Sequence, residues 1–163
     1  MTKQIKRNSW SRFCKQFSAS NQFRPAQVKV KKTKGRKIMD ATECFPLLGM
    51  TLAKKGRLID GIQLFAGRAD VDSPAEPVLT IRNPAEVILE QSKSGHDSLL
   101  KIKSKDGFEA TVEIQQAENL YQELLEKVAY GLYERRGASH GDDHNDWYEA
   151  ERKLGEVRRQ FVS

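Results

Sequence analysis

The chain has 163 residues, 31% charged and 38% hydrophobic, enough for one domain, or one with a small appendage, that buries a core without metal or disulfides. No apolar run approaches the roughly 20 residues of a membrane-spanning helix. Two cysteines, Cys14 and Cys44, are too few for a disulfide scaffold and read as buried free thiols of a reducing compartment. The net charge of +6 is the sum of two opposed blocks: the first 39 residues carry 12 Lys or Arg and no Asp or Glu, and the rest carry 16 basic against 22 acidic residues. Such a block attracts polyanions whatever the fold.

Residues 1–8 read as a polar, basic tail. Trp10, Phe13, Cys14 and Phe17 then fall at i, i+3, i+4 and i+7, one face of a helix. Asn8 or Ser9 is the expected N-cap, and the helix should stop near Ser20 and Asn21, ahead of Pro25. Arg12, Lys15 and Gln16 take the opposite face. No apolar segment follows the first basic residues, so no secretory signal is expected. An acid-free start with Ser and Arg also fits an organellar transit segment, but a cleaved segment has no need of the strand that follows in the same block. A membrane-surface helix is a further alternative, set against the need of a domain core for the same apolar face.

Residues 26–114 read as β structure. Val28 and Val30 alternate with Lys29 and Lys31, a half-buried strand with a cationic outer face. A turn follows at 33–36. Leu48, Met50 and Leu52 alternate, and Ile62, Leu64 and Phe65 make a short strand after Asp60-Gly61. Residues 67–77 read as a loop. Residues 78–91 form a long extended stretch interrupted at Asn83-Pro84. The pair 99–104 and 108–114 reads as a hairpin. A two-residue loop would set Ile102 against Thr111 and mix the faces. A three-residue loop, Lys105-Asp106-Gly107, sets Ile102 against Ala110, Leu100 against Val112 and Lys103 against Glu109, keeping one apolar face.

From about Ala117 the period changes to 3.6. Leu120, Tyr121, Leu124, Leu125, Val128, Leu132 and Tyr133 line one helix face, closed by Arg135, Arg136 and Gly137. A second helix places Trp147, Ala150, Leu154, Val157 and Phe161 on a stripe, with Asp142, Asp143 and Asp146 near its N-terminus. The two should form an antiparallel αα-hairpin with Trp147 buried. The expected fold is α+β: an N-terminal helix plugging one end of a small antiparallel sheet or barrel of about six strands, then the hairpin. The expected divisions are a tail over 1–8, a β-rich domain over 9–116 and a helical hairpin over 117–163.

Two stretches carry resemblances. Residues 128–154 match, at Tyr130, Leu132, Tyr133, Arg136, Gly137, His140, Trp147, Glu149, Ala150 and Glu151, the pattern of a short bacterial module of unknown function, which they resemble closely. Residues 9–114 resemble, more loosely, an uncharacterised bacterial family of β-rich domains with a helical start. That likeness rests on Trp10, Phe13, Phe17, Ser18, the run Leu48 to Leu52, Asp60-Gly61-Ile62, Asn83-Pro84 with Val87 to Gln91, and Lys105-Asp106-Gly107. The resemblances imply a bacterial, cytoplasmic, two-part protein and supply no activity.

Lys29, Lys31, Lys32, Lys34, Arg36 and Lys37 crowd one strand and its turn, the composition of a phosphate-binding patch. Phe23 and Phe45 flank it and could stack on bases. The plainer reading is a charge-blunted edge strand. His140 and His144, with Asp142, Asp143 and Asp146, have metal-like composition, but the acids suffice as helix caps, so no metal is expected. Glu118, Glu123, Glu126 and Glu134 read as a solvated face, and the glycines fit no phosphate loop. No catalytic residue and no cofactor is expected. The expected function is non-enzymatic binding of RNA, DNA or a ribonucleoprotein through the basic block, with Trp147 and Tyr148 offering a protein contact. The alternative is an assembly factor that meets an acidic protein surface. Oligomeric state is left open.

Overall fold

The computed structural model describes residues 1–32, 37–40, 45–53, 61–67, 77–115, 120–138 and 140–162, with backbone alone for 37–40 and 162. The strands are β1 (Thr2–Ile5), β2 (Pro25–Lys32), β3 (Lys37–Asp40), β4 (Phe45–Leu52), β5 (Ile62–Ala66), β6 (Pro77–Ile81), β7 (Pro84–Gln91), β8 (Asp97–Ser104) and β9 (Phe108–Ile114). The helices are α1 (Trp10–Asn21), α2 (Tyr121–Arg135) and α3 (Asp143–Val162), with a short 3-10 turn at Arg7–Ser9.

Eight strands pair in the order β1-β7-β8-β9-β2-β4-β5-β6, and β3 adds to β2 beside that path. All pairings are antiparallel. The expected barrel of about six strands is therefore corrected: the sheet is open and has nine strands among the described residues. The tail supplies one extra strand, because Thr2 to Ile5 pair with Glu90 to Val87 along the β7 edge. Only Ile5 of that strand is buried, so its sequence carries almost no alternation to read. The second extra strand, β3, follows the basic turn. The third arises at Asn83, whose φ of 50° bends the 78–91 stretch into β6 and β7.

The hairpin register agrees with the pattern argument. Leu100 opposes Val112, Ile102 opposes Ala110 and Lys103 opposes Glu109. Gly107 takes φ 86°, the left-handed conformation a three-residue loop of this type needs. The Ser104 hydroxyl accepts the Asp106 amide at 3.1 Å, and the Ser104 carbonyl accepts that of Gly107.

The main core lies on the inner face of the sheet, under α1. Trp10, Phe13, Cys14 and Phe17 are all buried against Val28, Met50, Val87, Leu100 and Val112. Trp10 also donates from Nε1 to the Ile5 carbonyl at 3.1 Å, tying the helix to β1. The rear of α1 is polar, yet Ser18, Asn21 and Gln22 at its C-terminal end are buried. Ser18 Oγ accepts the Met50 amide at 2.8 Å and donates to the Cys14 carbonyl, and Gln22 Nε2 donates to the Leu48 carbonyl at 3.0 Å. Asn21 donates to Asp97 at 2.7 Å.

A second core lies between β4, β5 and the C-terminal helices. It holds Phe23, Leu48, Phe65, Leu124, Leu125, Val128, Ala150, Leu154 and Phe161. The bulge between Leu47 and Gly49 lets adjacent residues of β4 serve both cores: Leu47 the first and Leu48 the second. Gly49 admits Phe161 so closely that a Cβ built there would sit 2.6 Å from the Phe161 Cβ. The helical hairpin thus packs on the sheet instead of standing apart. Its Leu154 is buried as expected, but Trp147 is only half-buried and donates to Glu151 at 3.0 Å.

Ser18→Ala should lower the unfolding free energy by about 1–3 kcal/mol, because it strands the buried Met50 amide. Urea denaturation with an unchanged m-value checks it; no loss of stability would show that the amide finds another partner. Burial strips water from the Cys14 thiolate and pushes its pKa up to about 12. The folded protein should therefore leave Cys14 unalkylated by iodoacetamide at mildly alkaline pH. Peptide mapping should find it labelled only once the chain is unfolded.

Candidate polyanion-binding surface

Strand β2 carries the lysines of the basic block, and the sheet decides what they face. Lys29 and Lys31 point to the outer face, away from the core that takes Val28. Across the sheet on that face the strands alternate in charge. Glu86 and Glu90 lie on β7, Lys101 and Lys103 on β8, Glu109 and Glu113 on β9, and Lys29 and Lys31 on β2. Four ion pairs join neighbours: Lys103 with Glu86 at 3.6 Å, Lys101 with Glu90 at 3.7 Å, Lys31 with Glu109 at 3.4 Å and Lys29 with Glu113 at 3.5 Å. Lys103 sits opposite Glu109 in register but takes its partner from β7 instead. Exposed pairs of this kind stabilise by at most about 1 kcal/mol each. Their main effect is to cancel the field of Lys29 and Lys31.

Lys32 ends β2 opposite Phe108, and its Nζ lies 5.9 Å from the ring centroid. Lys37 opens β3 opposite Lys31. Lys34 and Arg36 lie outside the described residues. The two aromatics expected beside the patch are not surface platforms. Phe23 is buried in the second core, edge-to-face with Tyr121 at 5.0 Å, and Phe45 is half-buried. Phe23 reaches that position through a φ of 66°, a costly conformation for a bulky residue just past the end of α1. The exposed aromatic beside the lysines is Phe108, 37% accessible. The linear sequence hides it, since it lies more than 70 residues away and only the β2–β9 register brings it to Lys32.

The histidines and acids of the helical pair build a locked turn. Gly137 and Ala138 donate to the Glu134 and Tyr133 carbonyls at 3.1 Å each, the double closure of a Schellman motif. Arg136 then turns to α3, with Nε to Asp146 Oδ1 at 2.9 Å and Nη2 to Oδ2 at 2.5 Å. Asp142 stands 3.9 Å from Nη1 and also accepts from Asn145. That bidentate grip raises the Arg136 pKa, the hydrogen bond with Asp146 being its first cause. His140 packs on Tyr133, centroids 5.8 Å apart. Among the described residues no group of three His, Cys, Asp or Glu could hold a metal. Tyr148 is 67% exposed and Tyr130 61%, so the helical pair offers two solvent-facing rings, whereas Trp147 is half covered.

Residues 122–155, most of this helical pair, are similar to a family described as a protein of unknown function (DUF2934). No curated protein and no solved structure matches the chain. None of the helices among the described residues is long and apolar enough to cross a membrane.

Asp146→Asn and Arg136→Gln should each lower the melting temperature. The double variant should melt no lower than the worse single one, since either change alone leaves one charge without its partner. Additive losses would show that the two residues act separately.

Proposed function

We propose that the protein is a non-enzymatic binder whose basic N-terminal third docks on a polyanion: RNA, DNA or a ribonucleoprotein. The observation that carries this reading is charge segregation, 12 basic residues and no acid in the first 39. Folding cancels only part of it. Lys29 and Lys31 meet carboxylates of β9, while Lys3, Lys6, Arg12 and Lys15 are exposed and form no ion pair among the described residues. The weight of the patch therefore shifts from the face of β2 toward β1, α1 and the β2–β3 end. Each phosphate that replaces water around such a cation releases condensed counterions, which favours binding at low salt. Phosphates that approach Lys29 and Lys31 compete with Glu113 and Glu109, a weak opponent given the small worth of exposed pairs.

A second reading has its own support. The exposed Tyr130 and Tyr148 on the helical pair suit a protein contact, and an acidic protein surface could then occupy the basic block.

The two readings separate by fluorescence anisotropy with a random-sequence oligonucleotide at about 50 mM salt. Wild-type protein should bind, with log K falling linearly against log salt. Glu109→Gln with Glu113→Gln should tighten binding and steepen that slope by up to about two units, because it frees Lys31 and Lys29. Neutralising Lys3, Lys6, Arg12 and Lys15 together should weaken binding more than neutralising Lys29 and Lys31. A protein that ignores nucleic acid at low salt, yet co-elutes with an acidic protein, would sink the first reading in favour of the second.

A further inference from the structure

The sheet is open, yet the chain steps from β6, at one end of the strand order, to β7, next to the other end, through only Arg82 and Asn83. The sheet must curl for this to happen, and β6 comes to face β2 and β9 across a gap. That gap is a cleft of about 540 Å³, a size within the range of ligand sites. Its apolar wall includes Val30, Leu79 and Ile81. Its rim is polar and fixed. Ser104 Oγ donates to the Arg82 carbonyl at 3.0 Å, the Lys105 amide donates to the Asn83 carbonyl at 2.9 Å, and Asn83 Nδ2 donates to Asp106 at 3.4 Å. The Phe108 ring also lines the cleft, with the Lys32 ammonium beside it.

We infer that this cleft receives an unpaired base of a single-stranded nucleic acid, stacked on Phe108 between the cations of Lys32 and Arg82. This rests on the polyanion reading above and names the form of the polyanion. Three features combine. Lys32 and Arg82 form no ion pair among the described residues; Arg82 lines the cleft and the Lys32 ammonium lies 5.9 Å from the centroid of the Phe108 ring. The Phe108 ring lines the cleft, and an aromatic ring stacks on any base. The Ser104 hydroxyl and the Asp106 carboxylate stand at the rim as acceptors; a carboxylate repels phosphate but suits an exocyclic amino group. An alkyl chain could use the apolar wall but has no polar group to offer the rim. A paired base has its faces stacked and its edge bonded, so only a splayed-out base can enter.

The test uses the full chain and one short mixed-sequence oligonucleotide, single-stranded and as a duplex, at equal low salt. Phe108→Ala should weaken single-strand binding roughly ten-fold and leave duplex binding unchanged, while Phe108→Tyr keeps wild-type affinity. Phe108 opens its strand and is already 37% exposed, so thermal melting should verify that the variant is folded. Wild-type protein irradiated with the same single strand carrying 5-iodouracil gives a measure independent of any variant. Adducts should map to the peptide that contains Ser104 to Ala110. If wild type binds both probes alike, Phe108→Ala changes neither, and adducts fall only in α1, the cleft assignment is wrong while the polyanion reading stands. If neither probe binds at low salt, the polyanion reading itself fails.

Discussion

Everything in this fold hangs on how α1 bridges a weak joint in the sheet. Among the described residues, strands β2 and β4 share two residue pairs, Pro25 with Pro46 and Ala26 with Phe45. Two prolines at one joint remove two amide donors, and past them Leu47 alone still bonds across, its amide to the Arg24 carbonyl and its carbonyl to the Phe23 amide. Beyond Leu47 the edge of β4 meets the end of α1 instead. Ser18 and Gln22, one helical turn apart, meet the Met50 amide and the Leu48 carbonyl. Between them in sequence, Asn21 reaches Asp97 on β8, which also accepts from Gln91 of β7 at 2.9 Å. Three polar side chains thus tie the two halves of the sheet to one helix, and losing the Ser18 hydroxyl would strip the buried Met50 amide of its partner.

The outer face of β7, β8, β9 and β2 follows a different physical rule. A surface uncovered by helices must stay soluble and must keep its strands in register. Alternating acidic and basic strands do both, since each strand finds opposite charge on its neighbours and like charge if it slips to the wrong partner. The cost falls on function. A lysine committed to a carboxylate is a weaker phosphate ligand than its exposure suggests. That is why the acid-free stretch before β2, with few acids to meet it, carries more of the proposed binding surface than the strand where lysines are densest.

Legibility in the sequence tracked how strongly one residue type enforced one geometry. The α1 face was readable because three large aromatics and Cys14 repeat at helical spacing and all are buried. The 99–114 hairpin was readable to the register, because a three-residue loop alone keeps Ile102, Ala110, Leu100 and Val112 on one side. The C-terminal stripe was readable too, except that Trp147 sits at its outer end and is only half covered. What could not be read depends on partners far away in sequence. β1 has a single buried residue and exists because β7 offers an edge. Phe23 looked like a flanking surface aromatic, and only a left-handed backbone turns it into the second core. The lysine–glutamate pairs need the order β7-β8-β9-β2, which no local pattern encodes.

The same dependence on distant partners explains why the helical pair is not a free-standing unit here. Its stretch similar to a family of unknown function runs over 122–155 and holds the Arg136–Asp146 lock within it. The apolar stripe of α3 does not end there. It runs on to Phe161, which sits against Gly49 of β4 and on Phe65 of β5, centroids 5.0 Å apart. A helix pair of this length buries too little against itself alone, and sheet residues complete its core. Gly49 is where that completion is decided, since any side chain there would collide with the Phe161 ring. The sheet therefore sets the angle at which the helices present Tyr130 and Tyr148 to solvent. A partner that contacts those rings contacts a surface whose position is fixed by the same strand, β4, that α1 holds in place.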